Sequence, residues 1–297
     1  MIRLFGIVIV FAFFFAGCTN KSTPQNNDVF EEIKAQPTIQ FNPADYKEED
    51  IVFYNLFSPV DLTYLITKDQ SFYNSTLLNP LNNITNYNES FKAALNLGVY
   101  GADLSYLWLF NQSQQAHSYL TAIQQLSDQL GIPREFVDFT YANAESNSNE
   151  LDSLIRIARD SYYTAEKYLK ENNREHAASL ILLGGWIETL YIAVNMNQNP
   201  TQEIISRIAT QKFSSNSLYK LLQNSQNESS ISEYLLLVKK MNNLFEDLGI
   251  IYPPKSLVID TANRKILLAD GARIELTAEQ IEKIRNLTIL IRNHVIE

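Results

Sequence analysis

Two 20-residue stretches, 91–110 and 177–196, are apolar on nearly every side and therefore constrain the fold most strongly. A helix of this kind lies at the centre of a protein or spans a membrane. Each stretch contains small residues at which a neighbouring helix can approach closely; these are Gly98, Gly101, Gly184 and Gly185. Glu188 lies in the middle of the second stretch, and no aromatic belt precedes it. We therefore interpret both stretches as central helices of a bundle.

Elsewhere, apolar residues recur at the three- and four-residue spacing of amphipathic helices. Such stripes run along 116–130, 151–169 and 231–248, and another begins at Ile204. Gly131 and a proline two residues later are typical of a helix end. The pattern predicts a mainly α protein, a compact bundle of about seven to nine helices over residues 43–254.

The last 43 residues, 255–297, follow a different pattern. Segments 257–260, 265–268 and 272–276 read as short strands, and Asp270-Gly271 predicts a tight hairpin turn between the last two. Thr277 and Gln280 have the spacing of a capping box, which predicts a terminal helix. Its apolar face comprises Ile281, Ile284, Thr288, Ile291 and Val295. We expect a β-hairpin and helix packed on the bundle; the alternative is an exposed docking hairpin.

The amino terminus has the features of an export signal. Arg3 is followed by a 14-residue apolar run, Leu4 to Gly17, which is too short to span a membrane. The run ends in Phe15-Ala-Gly-Cys18, which resembles the lipobox of bacterial lipoproteins. The resemblance implies that residues 1–17 are a signal peptide and that Cys18, the only cysteine, is lipidated. An ordinary secretory signal and an uncleaved anchor are the alternatives.

Residues 18–42 are mostly polar and read as a flexible tether between the lipid and the helical body. The lipobox implies a lipid-anchored protein of the cell envelope. Thr19, where an aspartate would favour the inner membrane, points to the outer membrane, with the periplasmic and surface faces both left open.

The net charge of −9 becomes −10 when the first 17 residues, with one positive charge, are removed. An acidic body is unsuited to a nucleic-acid backbone or an anionic lipid surface. We therefore expect no nucleic-acid partner and membrane attachment through the lipid alone.

Motifs for catalysis or cofactor binding are absent from the sequence. The three histidines, His117, His176 and His294, lie on different predicted helices and form no metal-binding motif. No nucleophile elbow, phosphate-binding loop or dinucleotide fingerprint occurs. We expect no metal and no cofactor, and the sequence favours a non-enzymatic protein.

The acids of the two apolar stretches, Asp103 and Glu188, are the candidate reactive groups. One interpretation places them with Tyr100 and Trp186 around a pocket for a small ligand or a hydrolytic reaction. The other treats each acid as part of a narrow polar stripe facing water, with Lys92 and Asn96 beside Asp103. A separate candidate is Thr261: Asp260-Thr261-Ala262 resembles the acceptor for protein O-glycosylation in the Bacteroidota.

Four segments of the body resemble an uncharacterised family of helical lipoproteins of the Bacteroidota. They are Ser58-Pro-Val-Asp61, Leu77-Leu-Asn-Pro80, Ala94 to Leu104 (ALNLGVYGADL) and Gly184-Gly-Trp-Ile-Glu188. The resemblance spans about residues 55–248 and implies an envelope location, with no activity to transfer. The sequence thus predicts a lipid-anchored binding or scaffold protein; the alternatives are a ligand-binding or hydrolytic protein and an accessory subunit of an outer-membrane complex.

Overall fold

The computed structural model describes residues 72–134, 136–138, 142, 164–165, 167–197, 200–224, 229–251, 257–260, 265–268 and 273–297. All of them belong to one compact unit, Tyr46–Glu297. This part of the chain is mostly helical, which confirms the predicted mainly α bundle. The predicted lipidation site Cys18, the tether 18–42 and Thr261 lie outside the described residues.

Six α-helices and two short 3-10 helices have bounds within the described part of the chain, where residues 136–138 and 167–171 are helical as well. The α-helices are α1 (Ser90–Leu109), α2 (Ser113–Gln129), α3 (Glu175–Asn195), α4 (Gln202–Gln223), α5 (Ser229–Glu246) and α6 (Ala278–Ile296). The 3-10 helices, Ser75–Leu77 and Leu81–Asn86, precede α1. The predicted stop at Gly131 is confirmed: α2 ends at Gln129, and Gly131 adopts φ +64°, a left-handed conformation that suits glycine.

The two apolar stretches form α1 and α3, and these helices share the largest interface among the described elements. Their backbones are in direct contact where the two helices cross. A Cβ atom built on Gly98 would clash with the carbonyl oxygen of Ile181 and lie 2.6 Å from the backbone nitrogen of Gly185. A Cβ atom on Gly184 would clash with the carbonyl group of Leu95. Only glycine permits so close an approach at these two positions.

The apolar surface of α3 is covered by protein. Helices α1, α4 and α6 all pack against it. Within the described residues, His176–Asn195 is the one helical stretch that is long and apolar enough to cross a membrane, but 89% of its most apolar window is buried. The composition of α3 is therefore accounted for by its central position in the bundle.

Helix α6 begins and packs as predicted. The side-chain oxygen of Thr277 accepts a hydrogen bond from the Gln280 backbone (3.2 Å), and the Gln280 side chain accepts one from the Thr277 backbone (2.9 Å). This reciprocal pair satisfies two amide groups that no helical carbonyl can reach. The predicted apolar face, Ile281, Ile284, Thr288, Ile291 and Val295, is buried along its whole length. Helix α6 packs mainly on α3 and also contacts α1 and α5.

The strands pair differently from the sequence prediction. They are β1 (Ile250–Ile251), β2 (Leu257–Asp260), β3 (Lys265–Leu268) and β4 (Arg273–Ile274). Strand β3 pairs antiparallel with β2, and β4 pairs with β1, the strand that follows α5. The predicted hairpin with Asp270-Gly271 between β3 and β4 is therefore not confirmed, and that dipeptide lies outside the described residues. Backbone hydrogen bonding to β1, which is distant in sequence, took precedence over the local turn pattern.

Candidate functional site

A buried ion pair joins the central helix α3 to the terminal helix α6. Arg292 donates two hydrogen bonds to Glu188, from Nε to Oε2 (2.9 Å) and from Nη2 to Oε1 (2.8 Å). Glu188 is wholly inaccessible to solvent and Arg292 is 5% exposed. The guanidinium also lies 4.2 Å from the ring centre of Tyr191. This two-bond geometry suits the planar guanidinium and fixes the position of α6 on α3.

Asp103, on α1, lies beside this pair and is also wholly buried. Its Oδ2 atom accepts a hydrogen bond from the backbone nitrogen of Asn79 (3.1 Å). Its Oδ1 atom makes no hydrogen bond of ordinary length and angle with the described chain. The three side chains of Asp103, Glu188 and Arg292, here called the buried cluster, therefore bring together one cation and two carboxyl groups from three helices.

Burial raises the pKa of both acids, but their charged neighbours act on the two groups differently. Desolvation raises the pKa of Asp103 well above its ordinary value, and the neighbouring Glu188 charge raises it further. Desolvation also raises the pKa of Glu188, but its hydrogen bonds with Arg292 oppose that shift. Burial lowers the pKa of Arg292, an effect that the Glu188 carboxylate outweighs, so the guanidinium stays charged. We assign the negative charge to Glu188, because Arg292 binds both of its oxygens, and the proton to Asp103.

The backbone segment 77–80, which links the two 3-10 helices, depends on the buried cluster and on nearby tyrosines. Arg292 Nη2 donates to the carbonyl oxygen of Leu77 (3.2 Å). The hydroxyl of Tyr119 donates to the Asn79 carbonyl (2.8 Å), and that of Tyr100 donates to the Pro80 carbonyl (3.1 Å). Carbonyl groups that are buried inside a bundle need such hydrogen bonds, because water cannot reach them.

The end of α6 is bound in the same region. Asn96 donates to the carbonyl oxygen of Val295 (2.9 Å), and the Tyr87 hydroxyl donates to that of Ile296 (3.0 Å). The last carbonyl groups of a helix have no partner within the helix itself. Asn79 connects the two sets of contacts, because its side-chain amide donates to the Tyr87 hydroxyl (3.0 Å) and to Asn96 (3.3 Å).

Of the four residues proposed for a pocket, the structure brings three together. Asp103 and Glu188 are neighbours in the buried cluster, and Tyr100 lies near them, one helical turn before Asp103 on α1. Trp186 is directed elsewhere: its Nε1 atom donates to Gln211 on α4 (3.1 Å). Whether these residues form a binding pocket stays a prediction.

The interpretation of the acids as water-facing stripes is wrong. Asp103, Asn96 and Glu188 are each 0% exposed, because the faces that carry them point towards α6 and segment 77–80. A helical wheel gives the angular spread of polar residues but not what covers them. The nearly uniform apolarity of α1 and α3 was the better indicator of burial.

The partners of the two acids were missed in the sequence. Arg292 lies on the apolar face of α6, between Ile291 and Val295 and four residues after Thr288. A charged residue on an apolar stripe suggests a buried partner, so a signal was present. Asn79 offered none, because it lies outside the helices and acts partly through its backbone.

The arrangement is suited to holding elements together. Both oxygens of Glu188 bind Arg292, and neither acid is exposed to a substrate in solution. Within the described ranges, no group of three or more histidine, cysteine or acidic side chains is placed to hold a metal ion. The chain matches no protein-family model, no curated protein and no solved structure.

Proposed function

We propose that this chain is a lipid-anchored protein of the cell envelope whose helical body binds or scaffolds a partner without catalysing a reaction. The observation that carries the non-catalytic part is the burial of Asp103 and Glu188, each 0% exposed and each bonded inside the protein. General acid–base catalysis needs a carboxyl group within hydrogen-bonding reach of the substrate. Glu188 instead connects α3 to α6 through Arg292, and Asp103 connects α1 to segment 77–80.

The cellular location rests on the sequence Phe15-Ala-Gly-Cys18 and on the apolar run before it. We propose that Cys18 carries the lipid and that this lipid anchors the protein in the outer membrane. We also propose that the chain belongs with the helical lipoproteins of the Bacteroidota. Two or more acyl chains hold a protein firmly on a bilayer, whereas one chain binds only marginally. The acidic body then needs no surface of its own for membrane attachment.

Replacing the anchor residue tests the location. We expect Cys18→Ala to move the protein from the membrane fraction to the soluble fraction, because no acyl chain can then be attached. Thr19→Ala, the adjacent substitution, should leave the protein in the membrane fraction. Fractionation by ultracentrifugation after a salt wash, with mass spectrometry of the amino-terminal peptide, measures both. A Cys18→Ala protein that still pelleted with washed membranes would contradict the lipid anchor.

Capture from intact envelopes tests the binding function. We expect chemical crosslinking followed by affinity purification of the full-length protein to recover one envelope protein in near-stoichiometric amount. The Cys18→Ala variant serves as the control, since its folded body is unchanged but its anchor is lost. Repeated recovery of the chain alone would count against a scaffold and against an accessory subunit of a membrane complex.

A further inference from the structure

The few hydrogen bonds that Asp103 accepts suit a neutral carboxyl group better than a carboxylate. One oxygen accepts from the Asn79 backbone, whereas Oδ1 has no donor of ordinary geometry among the described residues. A carboxylate buried in this way would leave part of its charge unpaired, which is costly in a protein interior. A protonated carboxyl group needs fewer donors and can itself donate a hydrogen bond to Glu188.

The groups facing Asp103 support the same assignment. Glu188 faces it from α3 and Arg292 from α6, and the other titratable groups near it in the described part of the chain are the phenols of Tyr73, Tyr100 and Tyr119. Arg292 is the one cation among these described neighbours, and Glu188 already binds it through both oxygens. The buried cluster is therefore electrically neutral when one of its two carboxyl groups holds a proton.

We propose that the buried cluster is a proton-dependent latch, in which neutral Asp103 keeps α6 and segment 77–80 closed over α1 and α3, and loss of its proton opens them. In the opening step the O–H bond of Asp103 breaks and the proton passes to bulk water. The cluster then carries a net charge of minus one, which hydration of the opened site stabilises.

The packing determines which elements move. Helices α1 and α3 are in backbone contact at Gly98 and Gly184, so they cannot take up water between them without losing that interface. Helix α6 is held to the cluster by Arg292. Segment 77–80 is attached to the same guanidinium through the Leu77 carbonyl. This hydrogen bond is the longest of the three that Arg292 donates.

The sign of the pH dependence follows from the raised pKa of Asp103. A group whose pKa is higher in the closed state binds its proton more tightly there. The closed state is therefore fully stabilised below the ordinary pKa of an aspartate and loses that stabilisation as the pH rises through the raised value. Within this window, release of one proton increases the opening equilibrium constant by about tenfold per pH unit.

Hydrogen exchange measured by mass spectrometry on the full-length protein in mild detergent tests the latch. Wild type, Asp103→Asn and Asp128→Asn are compared between about pH 5 and about pH 8, with each rate corrected for intrinsic exchange. Asparagine at position 103 imitates the neutral acid, accepting from Asn79 and donating to Glu188. Asp128 is an exposed acid paired with Arg134 and serves as the matched control.

We expect the protection of α6 and segment 77–80 to fall in the wild type and in Asp128→Asn by up to about tenfold per pH unit. In Asp103→Asn, the protection of the same segments should not change with pH. Equal protection in wild type and Asp103→Asn at every pH would overturn the latch. So would a loss of protection spread evenly over all helices, because that reports global unfolding.

A second measurement covers the case in which Asp103→Asn does not fold. Titration of the ¹³C-labelled aspartate carboxyl groups in the wild type should show one residue whose pKa lies well above the ordinary value of about 4. A set in which every aspartate titrates near the ordinary value would overturn the proposal without any variant.

Discussion

The Gly98→Ala variant will lose about 3 kcal/mol or more of unfolding free energy, at the upper end of the range for overpacked sites. The added methyl group would clash with the Ile181 carbonyl oxygen and lie 2.6 Å from the Gly185 backbone nitrogen. Both neighbours are backbone atoms of a central helix, so α1 and α3 must separate to make room. Gly184→Ala should lose a similar amount, because its methyl group meets the Leu95 carbonyl.

The same helices supply matched controls. A Cβ atom on Gly101 would have open space around it, with nothing within 4 Å, so Gly101→Ala should retain stability or gain up to about 1 kcal/mol from helix propensity. A Cβ atom on Gly185 would lie 3.4 Å from its nearest neighbour, so the stability loss of Gly185→Ala should lie between that of Gly98→Ala and that of Gly101→Ala. Urea unfolding of the full-length protein in mild detergent, followed by circular dichroism, measures the series. Equal losses at Gly98 and Gly101 would contradict the backbone contact.

Arg292→Met will lose about 3–5 kcal/mol, the usual result of removing one partner of a buried ion pair. The substitution leaves Glu188 without either of its two donors and removes the hydrogen bond to the Leu77 carbonyl. Water cannot replace the lost hydrogen-bond donors, since Glu188 is 0% exposed. The same urea unfolding measurement gives the value.

Arg134→Met is the control for this prediction, because Arg134 pairs with Asp128 on the surface and its side chain is 62% exposed. An exposed pair is screened by water, so we expect a far smaller loss of unfolding free energy than in Arg292→Met. Combining Glu188→Met with Arg292→Met should recover part of the loss of the single variants, since no unpaired charge then remains at this pair. Additive losses in the double variant would show that the two side chains do not act as a pair.

The helical architecture was accessible from the sequence because it depends on local periodicity. The terminal helix shows this most clearly: Thr277 and Gln280 form the predicted capping box, and the apolar stripe from Ile281 to Val295 is buried. The sequence indicated Gly98, Gly101, Gly184 and Gly185 as positions at which a neighbouring helix can approach closely. The structure shows such contacts at Gly98, Gly184 and Gly185, whereas Gly101 meets no neighbour, because a glycine permits contact without requiring it.

The strand pairing and the candidate site were harder to predict from the sequence, because both depend on contacts between residues far apart in the chain. The register of β4 with β1 joins Ile274 to Ile250 across an intervening pair of strands, a choice that no turn dipeptide encodes. The site likewise joins Asp103, Glu188 and Arg292 from three helices far apart in the chain. Each acid and the arginine are visible in the sequence, but their mutual distances are not.

The sequence by itself determined the mainly helical class, the central position of the two apolar helices and the start of the last one, and the proposed export signal rests on it alone. These properties follow from composition and from spacing within one element. Only the tertiary structure decided that Asp103 and Glu188 face the interior, that Arg292 neutralises one of them and that Asn79 closes the network. Burial and charge pairing depend on what covers a side chain, and Arg292, which neutralises Glu188, lies 104 residues further along the chain.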